Sequence, residues 1–504
     1  MANPPPPYDN ITGISRAAMK DNAQVTLAEY DGNARPGELV VDQTTSIVYV
    51  GNALGDLTAV ATPGGATTWA LLSNKTGASG PTIIALGQNA GLDGQANAAI
   101  AVGQNAGQGG QNGAAISIGL NAGGNTFQGI SAVAIGSSAG YDAQGISSVA
   151  IGENAGLTSQ GNQSVAIGQN AGATQGSTAV AIGQNAGGGV ALQGDDAVAV
   201  GHGAGENTQG TQAVAIGLYA GQVAQGIQSV AVGSNAGLSA QGIYSVAVGP
   251  LTGRTTQGAF SVALGYSAGT TTQANSAVAI GSFAGATSQS INAVAVGVGA
   301  GQTSQGTQAV AIGALAGVSA QGQNSVAIGL NAGYDTQGTQ SVAVGQYAGN
   351  SSQGAYSVAV GDSAGATAQG IQSVSVGQRA GYSNQSPYAV AIGSYAGNSA
   401  QGERTVAVGL GAGITSQGNS SVAIGAFAGN SSQGIYSIAI GSNAGDISQA
   451  NNSIILNASG GPLNQTTANT FTVKPVRNGG SSGLPAGFYQ MAYNPTTGEI
   501  VYYT

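Results

Sequence analysis

One sixteen-residue sentence, repeated along most of the chain, limits what it can fold into. Residues 325–340 read Ser-Val-Ala-Ile-Gly-Leu-Asn-Ala-Gly-Tyr-Asp-Thr-Gln-Gly-Thr-Gln, and residues 341–356 read Ser-Val-Ala-Val-Gly-Gln-Tyr-Ala-Gly-Asn-Ser-Ser-Gln-Gly-Ala-Tyr. The pattern runs from about Pro81 to Asn457. A fixed short period predicts a solenoid, in which each repeat is one coil and stacked neighbours bury what a lone coil leaves open. The strand-ending glycine falls at 87, 103, 119, 136, 152, 168, 183 and 201, then at every sixteenth residue as far as Gly441. The odd spacings of 17, 15 and 18 all precede Gly201, so coils there must bulge to hold register.

Helix is excluded. Each repeat holds two or three glycines, and each costs roughly 1 kcal/mol inside a helix. The run Ser-Val-Ala-Ile-Gly alternates with period two, as a strand does. Val and Ile fall on one side, Ser and Ala on the other. An Ala-Gly pair marks a second short segment; between the coils of Gly217 and Gly441 its alanine fails once, at Thr252, and its glycine never fails. The expected fold is all-β: a parallel β-solenoid of sixteen-residue coils, stacked at ~4.8 Å into a rod roughly 110 Å long. Its core is expected to be thin and filled by Val, Ile, Leu and Ala, with small residues outside. Gln recurs every sixteen residues from Gln209 to Gln449, and stacked identical amides can form a ladder along the axis.

Composition excludes several function classes. Net charge is -9 with nine Lys and Arg, too few cations to neutralise many phosphates, so no nucleic acid is expected as a partner. Cysteine is absent, which removes disulfides and thiolate metal sites. No apolar run reaches the length of a membrane span, so no membrane insertion is expected. Met1 to Asn10 contains Pro4 to Pro7 and no apolar core of a secretory signal.

Residues 1–80 form an expected N-terminal tether and β module for docking or capping. Pro4 to Pro7 favour an extended segment. Gly37 to Asp42 and Ser46 to Gly51 are short β-rich runs suited to a hairpin, and Trp69 stands just before the repeats. Residues 81–457 are the repeat domain. Residues 458–504 are an expected C-terminal β cap, with strands at Thr470 to Pro475, Phe488 to Tyr493 and Ile500 to Tyr503 and a turn over 494–499.

The repeat Ser-Val-Ala-Ile-Gly-x-x-Ala-Gly resembles the head repeats of trimeric autotransporter adhesins of the YadA type. That family's common repeat is shorter, so the turns here should be longer. The resemblance implies a left-handed parallel β-roll and a homotrimer. The flanks resemble something else. Arg35-Pro-Gly-Glu-Leu-Val-Val-Asp42 with Ile47 to Asn52, and Asn452 to Ser459 with Tyr493 to Tyr502, are similar to stretches of fibre proteins from large DNA viruses and phages.

Chemistry finds little purchase. An enzyme needs a nucleophile, base or metal gathered in a pocket. The one histidine, His202, lies near Asp195, Asp196 and Glu206; a polar turn in the 18-residue coil is preferred over a metal site. Gly107-Gln-Gly-Gly110 lacks the lysine of a phosphate loop. No cofactor, metal or catalytic residue is expected. Aromatics recur in two columns. Tyr219, Phe283, Tyr347, Tyr395 and Phe427 stand two residues after the strand glycine; Tyr244, Phe260, Tyr356, Tyr388 and Tyr436 stand just before a strand. They could recognise a host glycan or protein, but filling a seam between chains or covering a turn is preferred. The sequence therefore reads as a structural fibre for attachment or assembly on a virion surface. The alternatives are a bacterial surface adhesin head and a self-assembling extracellular filament, joined end to end.

Overall fold

The structure is a computed structural model. It describes residues 84–189 and 192–476 in full, together with the backbone of strands Leu39–Asp42, Ile47–Gly51, Leu57–Ala61, Gln490–Tyr493 and Ile500–Tyr503. Pro4 to Pro7, Trp69 and the 494–499 turn lie outside these residues. Among the described residues every regular element is a strand, and the repeats form a parallel β-solenoid. The chain divides into two compact units, Met1–Ser276 and Ala277–Thr504.

Each unit is built on one parallel ladder of three-residue strands that end at the strand glycine. In the first unit the ladder runs from Ile84–Leu86 to Val262–Leu264. In the second it runs from Val278–Ile280 to Ile454–Asn457. Register is strict: Val342, Ala343 and Val344 pair with Val358, Ala359 and Val360. A second ladder, ending at the recurrent glutamine, forms the facing wall; Ser351 and Gln353 pair with Thr367 and Gln369. In the second unit, Phe471–Lys474 pairs in parallel with Ile454–Asn457 and carries the stacking past Asn457. The first unit also holds an antiparallel meander, with Leu39–Asp42 on Ile47–Gly51 and the latter on Leu57–Ala61. The second holds an antiparallel pair, Gln490–Tyr493 with Ile500–Tyr503. The third meander strand was not read from the sequence.

Positions are counted from the strand glycine as zero. In the coil of Gly345, Ser341 stands at −4, Val342 at −3, Val344 at −1, Tyr347 at +2 and Gln353 at +8. The alternation places Ser or Ala at −4 and Ala at −2 inside, fully buried, with Ala at +3 and Gln at +8. Val and Ile at −3 and −1 point out. This corrects the expectation that Val, Ile and Leu share the core. In the regular coils the interior holds only small residues and glutamine; among the described residues the last coil alone seats a larger group inside, Ile455, with Leu463 packed against it. A methyl group added at Gly349 would lie 2.7 Å from Gln353 Oε1 and 3.2 Å from the Ala343 methyl. Methyl groups, contributing about 0.8 kcal/mol per buried carbon, small hydroxyls and one amide per coil fill the space.

That amide joins the two walls. Gln353 Nε2 donates to the Val342 carbonyl at 2.8 Å and to Gln369 Oε1 at 3.1 Å, so both its protons are used. The ladder expected from Gln209 onward begins earlier, at Gln95, and Gln111 and Gln128 continue it. In the second unit it proceeds in short runs, such as Gln385 to Gln401 to Gln417. Through the irregular coils the column keeps its backbone pairing, Gln111 with Gln128 and Gln175 with Gln193, but the side-chain ladder breaks at Gln193, whose Oε1 has no partner. The extra or missing residues of these coils fall between position +3 and the glutamine, at 124–127, 173–174 and 188–192. The glycine wall never slips.

Glycine at zero is required twice over. Gly345 has φ +131, and a Cβ there would lie 2.5 Å from the Gly361 carbonyl oxygen of the next coil. Gly345→Ala should therefore cost about 1–3 kcal/mol, read as a lowered thermal midpoint, while Gln346→Ala one residue on should stay within about 0.5 kcal/mol. Gln369→Leu removes the donor to the Val358 carbonyl and the acceptor for Gln353. It should cost about 1–3 kcal/mol and speed amide exchange in the adjoining coils.

Candidate interaction surface

The outward side chains sort into columns, because each coil repeats the last. Positions −3 and −1 make a stripe of Val and Ile along each unit. The −1 residues stand well out of the wall, with Ile328 37% and Ile392 40% exposed. A stripe of large apolar groups facing water marks an interaction surface. The facing wall, at +5 to +7, is mixed: Asn350, Ser351 and Ser352 in one coil, but Gln222, Val223 and Ala224 in another, with Val223 42% exposed. The three length changes all lie on this wall.

The two aromatic columns border the stripe, at −5 and +2. Both are corners where the chain takes a left-handed turn: Tyr347 has φ 55 and Tyr356 φ 60. The −5 rings project further, Tyr356 being 58% and Tyr436 66% exposed, against 40% for Tyr347. Tyr219 is half-buried, and Phe283, Tyr395, Phe427, Tyr244, Phe260 and Tyr388 are exposed. Within the first unit Tyr244 and Phe260 stack at 5.1 Å with their planes 11° apart. Their facing surfaces cover one another. That arrangement leaves less ring face for stacking on a sugar than isolated rings would offer.

Cations take part in the same columns, which the sequence reading missed. Arg379 lies 5.8 Å from the Tyr382 ring and 5.7 Å from that of Tyr395. Arg404 lies 5.4 Å from the Tyr388 ring and pairs with Glu403 at 2.9 Å. The signal was available, since Tyr395 and Arg404 each follow their partner by one repeat. In the first unit the +2 corner is most often asparagine. Asn89 donates to Asn105, and Asn105 to Asn121, each at 3.0 Å.

The polar group around His202 is spread over neighbouring coils. Asp195 Oδ1 accepts from the Ser177 amide at 2.8 Å, Asp196 from the Thr178 hydroxyl, and Glu206 Oε2 from Gln222 Nε2 at 2.7 Å. His202 packs edge-on to Tyr219, 5.1 Å between centroids. Among the described residues no three His, Cys, Asp or Glu side chains converge as metal ligands. A cleft of about 260 Å3 opens at the 15- and 18-residue coils, lined by Asn154, Asn170, Asn185, Thr158 and Thr174. It brings amides and hydroxyls together without an acid, base or nucleophile. No helix of the described residues is long and apolar enough to cross a membrane.

A family model, YadA head domain repeat, matches residues 159–186, 224–252 and 304–332. These three stretches are similar to YadA head domain repeats. Comparison with curated proteins and with solved structures gave no match. Repeats of the YadA type are typical of adhesin-type surface proteins and of structural adhesins rather than enzymes. The similarity of the flanks to viral fibres has no counterpart in these comparisons.

The acidic and histidine side chains are engaged between coils. Saturating the protein with Zn2+ or Ni2+ should leave its thermal midpoint unchanged, and a rise on metal addition would contradict this assignment.

Proposed function

We propose that the chain is a head segment of a trimeric surface adhesin, exposed outside the cell that makes it. In this reading three copies pack their Val and Ile stripes against a common threefold axis and turn the opposite, mixed walls to solvent. The outward stripe carries the proposal. A solenoid whose regular coils hold only alanine, serine or threonine and one glutamine inside has its Val and Ile side chains at the surface. Burying them against identical copies is the simplest way to remove them from water. The location of the length changes supports the same arrangement, because residues added on the opposite wall leave the packed wall flat. The similarity to YadA repeats supports it independently. The small antiparallel modules would then join the coils to neighbouring segments or cover their open edges. No observation favours the virion fibre over the adhesin, and none favours an end-to-end filament.

Mass photometry should find a species at about three times 48.2 kDa. Ile328→Glu with Ile392→Glu places charges in the stripe, and should shift the population to monomer while circular dichroism keeps its β signature. Monomer for the unaltered chain would overturn the proposal.

A further inference from the structure

A periodic stripe has a weakness. Its −3 and −1 side chains repeat every sixteen residues, so two copies displaced by one coil would bury nearly the same apolar groups. Some other feature must distinguish the registers, as it must wherever pairing is repetitive. The two bordering columns are the places where the repeat is not uniform.

Positions −5 and +2 of one coil stand at opposite edges of the same strand. They are seven residues apart, roughly 20 Å of extended chain, so side chains there do not reach one another within a copy. Their sizes are nonetheless related. Phe260 at −5 shares its coil with Ser267 at +2, Tyr356 with Ser363, Tyr436 with Asn443 and Arg404 with Gly411. Between the coils of Gly217 and Gly441, only that of Gly393 has rings at both edges, Tyr388 and Tyr395; Tyr244 meets Leu251. A displacement of one coil toward the N-terminus changes this. Phe260 would face Leu251, Tyr356 would face Tyr347, Tyr388 would face Arg379, Arg404 would face Tyr395 and Tyr436 would face Phe427. The opposite displacement sets Tyr356 against Arg379 and Arg404 against Phe427.

The backbone gives a second reason to assign these rings a purpose. The corners have positive φ, where bulky residues are disfavoured and asparagine is tolerated. At −5 most coils of the first unit carry a smaller or polar residue at positive φ, such as Ala98, Ala114, Ser131, Ser147, Gln163 and Thr178. Where Tyr244 and Phe260 stand there instead, the chain exposes a ring.

Resting on the trimeric reading above, we propose that the −5 rings are knobs that seat against the +2 positions of the same coil in the adjacent copy. In a threefold arrangement with the stripes inward, the −5 edge of one copy adjoins the +2 edge of the next. The unevenly spaced knobs Phe260, Tyr356 and Tyr436 then admit the unshifted register and obstruct those displaced by one coil, while Tyr388, which meets Tyr395 in register, does not discriminate. A constant displacement around the axis cannot close into a ring and would grow as an open helix. The lock therefore selects the closed trimer over a staggered fibre.

The chain has no cysteine, so introduced thiols report unambiguously. Full-length protein with Tyr356→Cys and Ser363→Cys, treated with a short bis-maleimide, should yield covalent trimer on a denaturing gel. Tyr356→Cys with Tyr347→Cys, the pair one coil out of step, should yield at least tenfold less. Adding Phe260→Ser and Tyr436→Ser to this second protein should make its cross-link appear. Trimers by mass photometry without the same-coil cross-link, or with equal cross-linking of both pairs, would overturn the lock and leave the trimer standing. Monomers would overturn both.

Discussion

The width of the space between two parallel walls is the constraint on which the molecule depends. The walls are joined in each coil by one glutamine, whose amide spans from the second wall to a valine carbonyl of the first. What fits beside it is a methyl group. Alanine at −2 and +3 and glycine at zero and +4 follow from that separation, since a Cβ at either glycine would strike backbone or the amide itself. The amide is suited to its place because it has two protons to donate: one satisfies a backbone carbonyl, the other its neighbour in the stack.

A core of this kind supplies little apolar burial per coil, and the larger aliphatic side chains are left outside. In a globular domain they would be the interior. Here they form a surface that one chain cannot cover by itself. On the proposed trimeric reading stability and association are coupled: the tightness that keeps a coil regular also leaves an apolar face for a partner to cover. The wall opposite is free to vary in length, and it does.

Much of this was legible in the residues. The period, the parallel stacking, the exclusion of helix, the glutamine column and the antiparallel pairing of Leu39–Asp42 with Ile47–Gly51 could all be read from spacing and alternation. The direction of the alternation could not. Val-Ala-Ile has two faces, and the usual preference of valine and isoleucine for the interior points to the wrong one. Which face is inside depends on how far away the second wall lies, and that distance is not a property of the strand. Nor was it evident that Arg379 and Arg404 would rest against rings one repeat away, because that contact needs the corners to project in line.

Sequence alone determined that this chain stacks coil upon coil, since every sixteenth residue meets its like and no other arrangement satisfies so many identical backbone groups in register. Only the tertiary structure decided that the alanines lie within and the valines without. The reason is physical: the glutamine bridge sets a gap one methyl wide on either side, and side-chain volume settles the rest.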